Sequence, residues 1–171
     1  DDTIKYANIQ VPRGFGKTTL ACVIKPLHHI LFDYPGEPKV ILIVSKTQTH
    51  AITQLQSIKD IIEYEPTFRQ LFGYWGQASA KKWRDDIVVL KDGSVIVAKG
   101  TGQPVRGLNY GGYRPTLVVL DDLEDENNTK TPEAMDDNLM WVLKGVLPSL
   151  HAKRGRVLLI GTPIHALCVV E

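Results

Sequence analysis

The stretch VPRGFGKTTL at residues 11–20 carries all but one of the elements of a phosphate-binding loop. The G-x-x-x-x-G-K-[ST] pattern would put a glycine where Val11 stands. Gly14 and Gly16 still allow the backbone to turn with the N–H groups around Phe15 facing inward, an anion cradle at the head of a helix. Lys17 is placed to reach the β- and γ-phosphates of ATP, and Thr18 to put its hydroxyl on Mg²⁺. Thr19 offers a further phosphate contact, and the Arg13 fork could hold a phosphate bidentately. A bare GKT is common, so context decides. This one follows a strand candidate, Tyr6–Val11, and opens an amphipathic helix.

Strands and helices alternate outward from that loop. Leu20, Val23, Ile24, Leu27 and Leu31 have helical spacing and predict one inward face. Pro26 predicts a kink or an early end near Lys25. Lys39–Val44 is a continuous apolar run, as in a strand covered on both faces. Ile52, Leu55, Ile58 and Ile62 mark a second helix, closed before Pro66. Asp86–Leu90 and Ser94–Ala98 flank Lys91-Asp92-Gly93, a hairpin signal. Thr116–Leu120 is another buried strand and ends in Asp121-Asp122. Thr131-Pro132-Glu133 starts a helix with a capping hydroxyl, proline in the first turn and an early acid. Met135, Leu139, Val142, Leu143 and Val146 form its inner stripe, and Arg156–Ile160 is the last strand. The order predicts an α/β fold, a mostly parallel central sheet with helices on both faces. In such sheets ligands bind at the carboxyl ends of the strands, so RGFGKTT, DDLEDE and GTP should gather on one edge.

Each later cluster has chemistry to match. Asp121, closing a buried strand, is how an NTPase presents a carboxylate to its metal. A second acid can then orient the attacking water. Asp122 is adjacent and is the first choice; Glu124 has the longer side chain and is the rival. Asp125 and Glu126 read as a solvated acidic loop. Arg106, in GQPVRG, could stabilise charge on the γ-phosphate in cis or on a neighbouring subunit, with Arg114 as competitor. Lys81, Lys82 and Arg84 around Trp83 are candidate DNA-backbone contacts, although such a run is more often a solvated face with its tryptophan packed inward. The five histidines show no ligand spacing, which argues against zinc.

Composition bounds the rest. The 171 residues are 43% hydrophobic and 23% charged, with a formal net charge of +1, ordinary for one globular domain. Cys22 and Cys168 read as buried free thiols suited to a reducing compartment. No apolar run approaches the ~20 residues of a membrane span. The chain opens at Asp1 without methionine and stops at Glu171 in mid-pattern, so a fragment of something longer is expected.

Taken together, VPRGFGKTT, LVVLDDLEDEN, LLIGTPIH and the GQPVRG stretch between the first two resemble the ATPase domain of large terminase subunits, the motors that package viral DNA. The resemblance covers nearly the whole chain and implies a P-loop NTPase fold of the ASCE, RecA-like type, with residues 1–171 as a single ATPase domain. Terminase Walker A loops lack the first glycine and carry an arginine, so Val11 and Arg13 match the family. By resemblance Lys17 and Thr18 hold phosphate and Mg²⁺, Asp121 binds metal, Arg106 is the arginine-finger candidate, and Gly161 and Thr162 couple hydrolysis to movement. Family members often carry Asp-Glu where this chain has Asp121-Asp122, which leaves the catalytic carboxylate between Asp122 and Glu124. The resemblance also implies double-stranded DNA, a portal protein and a small terminase subunit as partners. It further implies a homo-oligomeric ring, the cytoplasm of a phage-infected bacterium, and a nuclease domain and an adenine-binding segment outside this chain. Two other readings are a helicase or remodeller of the same P-loop class and a nucleotide-binding module without turnover.

Overall fold

A computed structural model of the chain describes residues 4–12, 14–123 and 131–161. Arg13, Glu124–Glu126, Thr162 and Cys168 lie outside the described residues. The framework is one seven-stranded sheet in the order β1-β7-β6-β2-β5-β4-β3. Its strands are β1 (Tyr6–Gln10), β2 (Val40–Ser45), β3 (Lys82–Trp83), β4 (Ile87–Val89), β5 (Val95–Gly100), β6 (Leu117–Asp121) and β7 (Arg156–Gly161). The five from β1 to β5 in that order pair in parallel, while β4 and β3 are antiparallel additions. This is the mostly parallel α/β sheet that the apolar runs predicted. The Asp92-Gly93 turn joins β4 to β5, with Gly93 at φ +91°.

Every residue of β2 and of β6 is buried. Alternate side chains go to opposite faces: Ile41 and Ile43 join one core cluster, Val40, Leu42 and Val44 the other. Two-sided burial is why these strands read as unbroken apolar runs. The first face is covered by α1 (Lys25–Phe32), α2 (Gln48–Tyr64) and α3 (Pro66–Phe72). The second is covered by the long loop after β5 and by α4 (Pro132–Trp141) with its continuation into α5 (Leu147–Ser149). Thr47 caps α2 by accepting from His50 N at 3.3 Å, and Thr131 caps α4 by accepting from Ala134 N at 3.2 Å. Among the described residues no helix is long and apolar enough to cross a membrane.

Two helical expectations are corrected. Pro26 does not end the first helix, which runs on to Phe32; instead the turn before it widens into a π-helical stretch, Thr19–Ile24. Proline's ring crowds the carbonyl four residues back and supplies no N–H. The chain answers by bonding one residue further, Lys25 N to Leu20 O. The same occurs ahead of Pro148, where Val142–Val146 is π-helical and Leu147 N bonds Val142 O. Each wide turn shifts the phase of the apolar stripe. Leu20 and Ile24 are consequently 60% and 47% exposed, with Ala21, Cys22 and Val23 buried in their place. Leu139 and Leu143 are likewise turned out, while Met135, Val142 and Val146 are buried.

A buried polar tie fixes α1 at its far end. His29 is fully buried, donates from Nδ1 to Asp33 Oδ2 at 2.6 Å, and has Nε2 2.9 Å from the Thr116 hydroxyl at the start of β6. Burial holds the His29 imidazole below its ordinary value despite the pull of Asp33, and the cations Lys25 and Lys39 add to the lowering. Burial alone would raise Asp33, but the His29 bond and Lys25 outweigh it and keep that carboxyl low. His28 also faces Asp33, at 3.8 Å. A base whose folded pKa is depressed stabilises the fold above its unfolded value of 6.5 and loses that contribution as pH falls below it. Urea denaturation should therefore show stability dropping on acidification from pH 6.5, before Asp33 protonates at lower pH. His29→Gln should flatten that part of the curve.

Candidate nucleotide site

Parallel pairing brings the strand ends into one row. Gln10 is in register with Gly161, Asp121 with Ile160, and Ser45 with both Asp121 and Gly100. The loop after β1 and the acids after β6 thus share an edge, separated by the end of β7. Thr162, in the third cluster, lies outside the described residues, but Gly161 closes β7 on this edge.

The chain is helical from Lys17, and Leu20 N donates to Gly16 O at 2.9 Å. Gly14 and Gly16 adopt φ of +89° and +69°, left-handed values that a side chain resists. Val11 is not among the positive-φ residues. Its role is carried by its carbonyl, which accepts from Lys17 Nζ at 3.4 Å, a bond that any residue type can make. The missing first glycine therefore costs the loop nothing here. Phe15 and Thr19 are exposed at the rim.

Thr18 Oγ1 donates to Asp121 Oδ1 at 3.2 Å, and Lys17 Nζ lies 3.8 Å from Asp122 Oδ1. The site thus unites Lys17, Thr18, Asp121 and Asp122 from the two motifs. Burial, first, and then the charge of Asp122 push the Asp121 carboxyl up to about 6, against the lowering effects of Thr18, Cys22 and Lys17. A hydroxyl and two carboxylates, hard oxygens short of positive charge, fit Mg²⁺, which takes one or two protein oxygens and leaves room for phosphates and water. Asp122 sits at φ +42°, a left-handed conformation uncommon outside glycine, and its N–H donates to Ile160 O at 3.0 Å.

Arg106 is not in this cluster. Its neighbour Val105 is buried in the core of the opposite face, and its Nε donates to Lys144 O at 2.6 Å. Arg114, its competitor, donates to Pro148 O at 3.4 Å on the same side. Lys81, Lys82 and Arg84 are further off, at the β3 edge, six strand spacings or about 29 Å from β1. Trp83 packs against the core with Lys59 above its ring, and Arg84 pairs with Asp86 at 3.3 Å. Among the described residues no three His, Cys, Asp or Glu side chains gather as a metal cluster.

Three contributors escaped the sequence reading. Cys22, four residues after Thr18 and fully buried, hydrogen-bonds the Asp121 carboxylate. Burial and the two aspartates push its thiol far up, so it stays a donor. Ser45 Oγ donates to Asp121 O at 3.1 Å. Thr101 Oγ1 donates to Leu123 O at 3.1 Å. Ser45 had a legible signal: it is the polar residue ending the KVILIV strand on the ligand edge.

Residues 8–136 match a family described as terminase large subunit, T4likevirus-type, N-terminal. The chain belongs to this family. Among solved structures, this terminase domain is similar to the large terminase of bacteriophage HK97, at 15% identity and TM-score 0.55, over 92% of this chain and 29% of that one. It is also similar to the large terminase ATPase domain of Thermus phage P74-26, at 18% identity and TM-score 0.59, over 94% of this chain and 61% of that one. At such identities the likeness is one of fold, and the terminase domain here spans less than two thirds of either chain. Comparison with curated proteins gave no match. β7 stands between β1, which leads into the GKT loop, and β6, which ends in Asp121.

The loop geometry makes a direct prediction. Val11→Gly should leave the affinity for a fluorescent ATP analogue within about twofold, because no left-handed residue is needed there. Gly16→Ala should weaken it about 10-fold, since a side chain at that φ costs roughly 1–2 kcal/mol.

Proposed function

We propose that this chain is the ATP-hydrolysing part of a motor that drives double-stranded DNA into a viral procapsid. The observation that carries this reading is the Thr18–Asp121 contact, which joins the two nucleotide motifs in one site on a terminase fold. The N–H groups of Gly14, Phe15 and Gly16 cradle the phosphates, with Arg13 and Thr19 as flanking contacts. Lys17 exchanges the Val11 carbonyl and Asp122 for phosphate oxygens. Thr18 and Asp121 hold Mg²⁺, which when bound neutralises charge on the β- and γ-phosphates. Asp122, or Glu124 in its stead, accepts the proton of the attacking water.

Arg106 is bonded to Lys144 O and, among the described residues, makes no hydrogen bond or ion pair with Lys17, Thr18, Asp121 or Asp122, so on this reading its charge would serve a nucleotide on a neighbouring subunit of a homo-oligomeric ring. Gly161 and Thr162, at the end of the strand between the two motifs, would pass the loss of the γ-phosphate to the sheet. Lys81, Lys82 and Arg84 are available for the DNA backbone on the opposite edge. A portal protein and a small terminase subunit complete the proposed assembly, in the cytoplasm of an infected bacterium. A nuclease domain and an adenine-binding segment belong to polypeptide beyond this single ATPase domain.

Steady-state ATP hydrolysis with Mg²⁺ tests the reading. Lys17→Ala should lower turnover by about 10²-fold or more, and so should one of Asp122→Ala and Glu124→Ala, with ATP binding retained in that acid variant. Turnover indifferent to Lys17→Ala would end the ATPase reading. Turnover indifferent to both acids would remove the assignment of the base.

A further inference from the structure

Three bonds, reaching in from β2, β7 and the end of β5, hold the turn that carries Asp122. Ser45, closing β2, donates from Oγ to Asp121 O at 3.1 Å. Asp122 N donates to Ile160 O on β7 at 3.0 Å. Thr101, the residue after β5, donates from Oγ1 to Leu123 O at 3.1 Å. The residue on each side of Asp122 is thus tied through its carbonyl, and Asp122 itself through its amide. The Leu123 side chain adds an anchor, 4% exposed in the second core cluster.

The Thr101 tie reaches furthest. β5 is separated from β6 by β2, so Thr101 crosses the end of β2 to meet Leu123. Register makes the crossing possible, because Ser45 is level with both Gly100 and Asp121. Thr101 Oγ1 is also 3.3 Å from Ser45 O. That carbonyl already accepts from Thr101 N at 3.0 Å, and a hydroxyl has one proton to give, so the shorter bond to Leu123 O takes it. Asp122 needs such fixing. At φ +42° it holds a conformation that persists only where its surroundings over-determine it. Its carboxylate is 47% exposed and stands 3.8 Å from Lys17 Nζ, a weak hold by itself. The backbone therefore sets where this carboxylate points.

We infer that Thr101 is a positioning residue: its hydroxyl fixes the Asp121–Leu123 turn and thereby aims the Asp122 carboxylate into the nucleotide site. The tie stands on geometry alone. Its effect on turnover rests on the reading of Asp122 as the base.

Backbone amide exchange in the ligand-free protein tests the tie, and steady-state ATP hydrolysis with Mg²⁺ tests its use. Thr101→Val keeps the shape and removes the donor. It should speed exchange at the Asp122 amide about 10-fold, with Ile43 and Val119 inside β2 and β6 unchanged. It should lower kcat about 10-fold while KM for ATP stays within about twofold, because the base acts after binding. Thr101→Ser restores the hydroxyl and should return both readouts most of the way to wild type. Thr101→Ala, smaller than valine, should repeat the valine losses without any added crowding. Exchange at Asp122 that neither Val nor Ala alters overturns the proposal. So do interior amides that speed up equally, which would mean the hydroxyl merely supports the fold, and a serine variant as impaired as valine. A kcat that survives Thr101→Val while Asp122→Ala is inactive overturns it as well. Turnover indifferent to Asp122→Ala would remove the base assignment on separate grounds, and the exchange result would then decide alone whether Thr101 fixes the turn.

Discussion

The hydrogen bond from Thr18 to Asp121 spans 103 positions of sequence and the whole width of β7. It exists only if β1, β7 and β6 are parallel and end level with one another, which the register of Gln10, Gly161 and Asp121 provides. The two-sided burial of β2 and β6 sets that register, because a one-residue slip would exchange their core faces. Asp121 then stands at the rim of a dry core, held through its carbonyl by Ser45 and through its carboxylate by Thr18 and Cys22. A carboxylate in that position repays its burial only by binding positive charge. The hydrophobic framework and the chemistry of the site are therefore one constraint.

Much of this was readable before any coordinates. Continuous apolar runs located β2, β6 and β7, because parallel strands covered on both faces leave no polar alternation. Thr131-Pro132-Glu133 located the start of α4 through capping chemistry that acts within one turn. What the sequence concealed was phase and partnership. A period of 3.6 put Leu20 and Ile24 inside; the π turn before Pro26 turned them outward. Pro66 was legible as the end of α2, yet it also begins α3 as a first-turn proline. The placement of Arg106 against Lys144 joins residues 38 positions apart on different elements, and no local pattern encodes such a pair. Arg13, Glu124 and Thr162, read as site residues from motif alone, lie outside the described residues.

The two prolines act alike, and each leaves its mark on a polar contact. Ahead of Pro26, the wide turn carries Cys22 onto Asp121. Ahead of Pro148, it leaves Lys144 O to Arg106. In both cases a residue that cannot donate a hydrogen bond decides which side chain reaches a strand end or a loop. The helices are less regular than their apolar content would allow, and the irregularity lies where the polar groups meet.

Among the described residues β1 has a single strand neighbour, β7, and its side chains at Tyr6 and Ile9 are exposed. Beside it runs an apolar cavity of about 360 Å³ lined by Ile9, Leu20, Ile24, His28 and Leu158. The strand that delivers the phosphate loop is thus the least anchored of the parallel set. Its amides should open at a lower free energy than those of β2 or β6. Whatever fills the loop must also hold the strand still, so part of its binding energy goes into ordering the edge. Ligand occupancy and the rigidity of this margin would then rise and fall together, making this edge of the sheet the place where the chain registers what it holds.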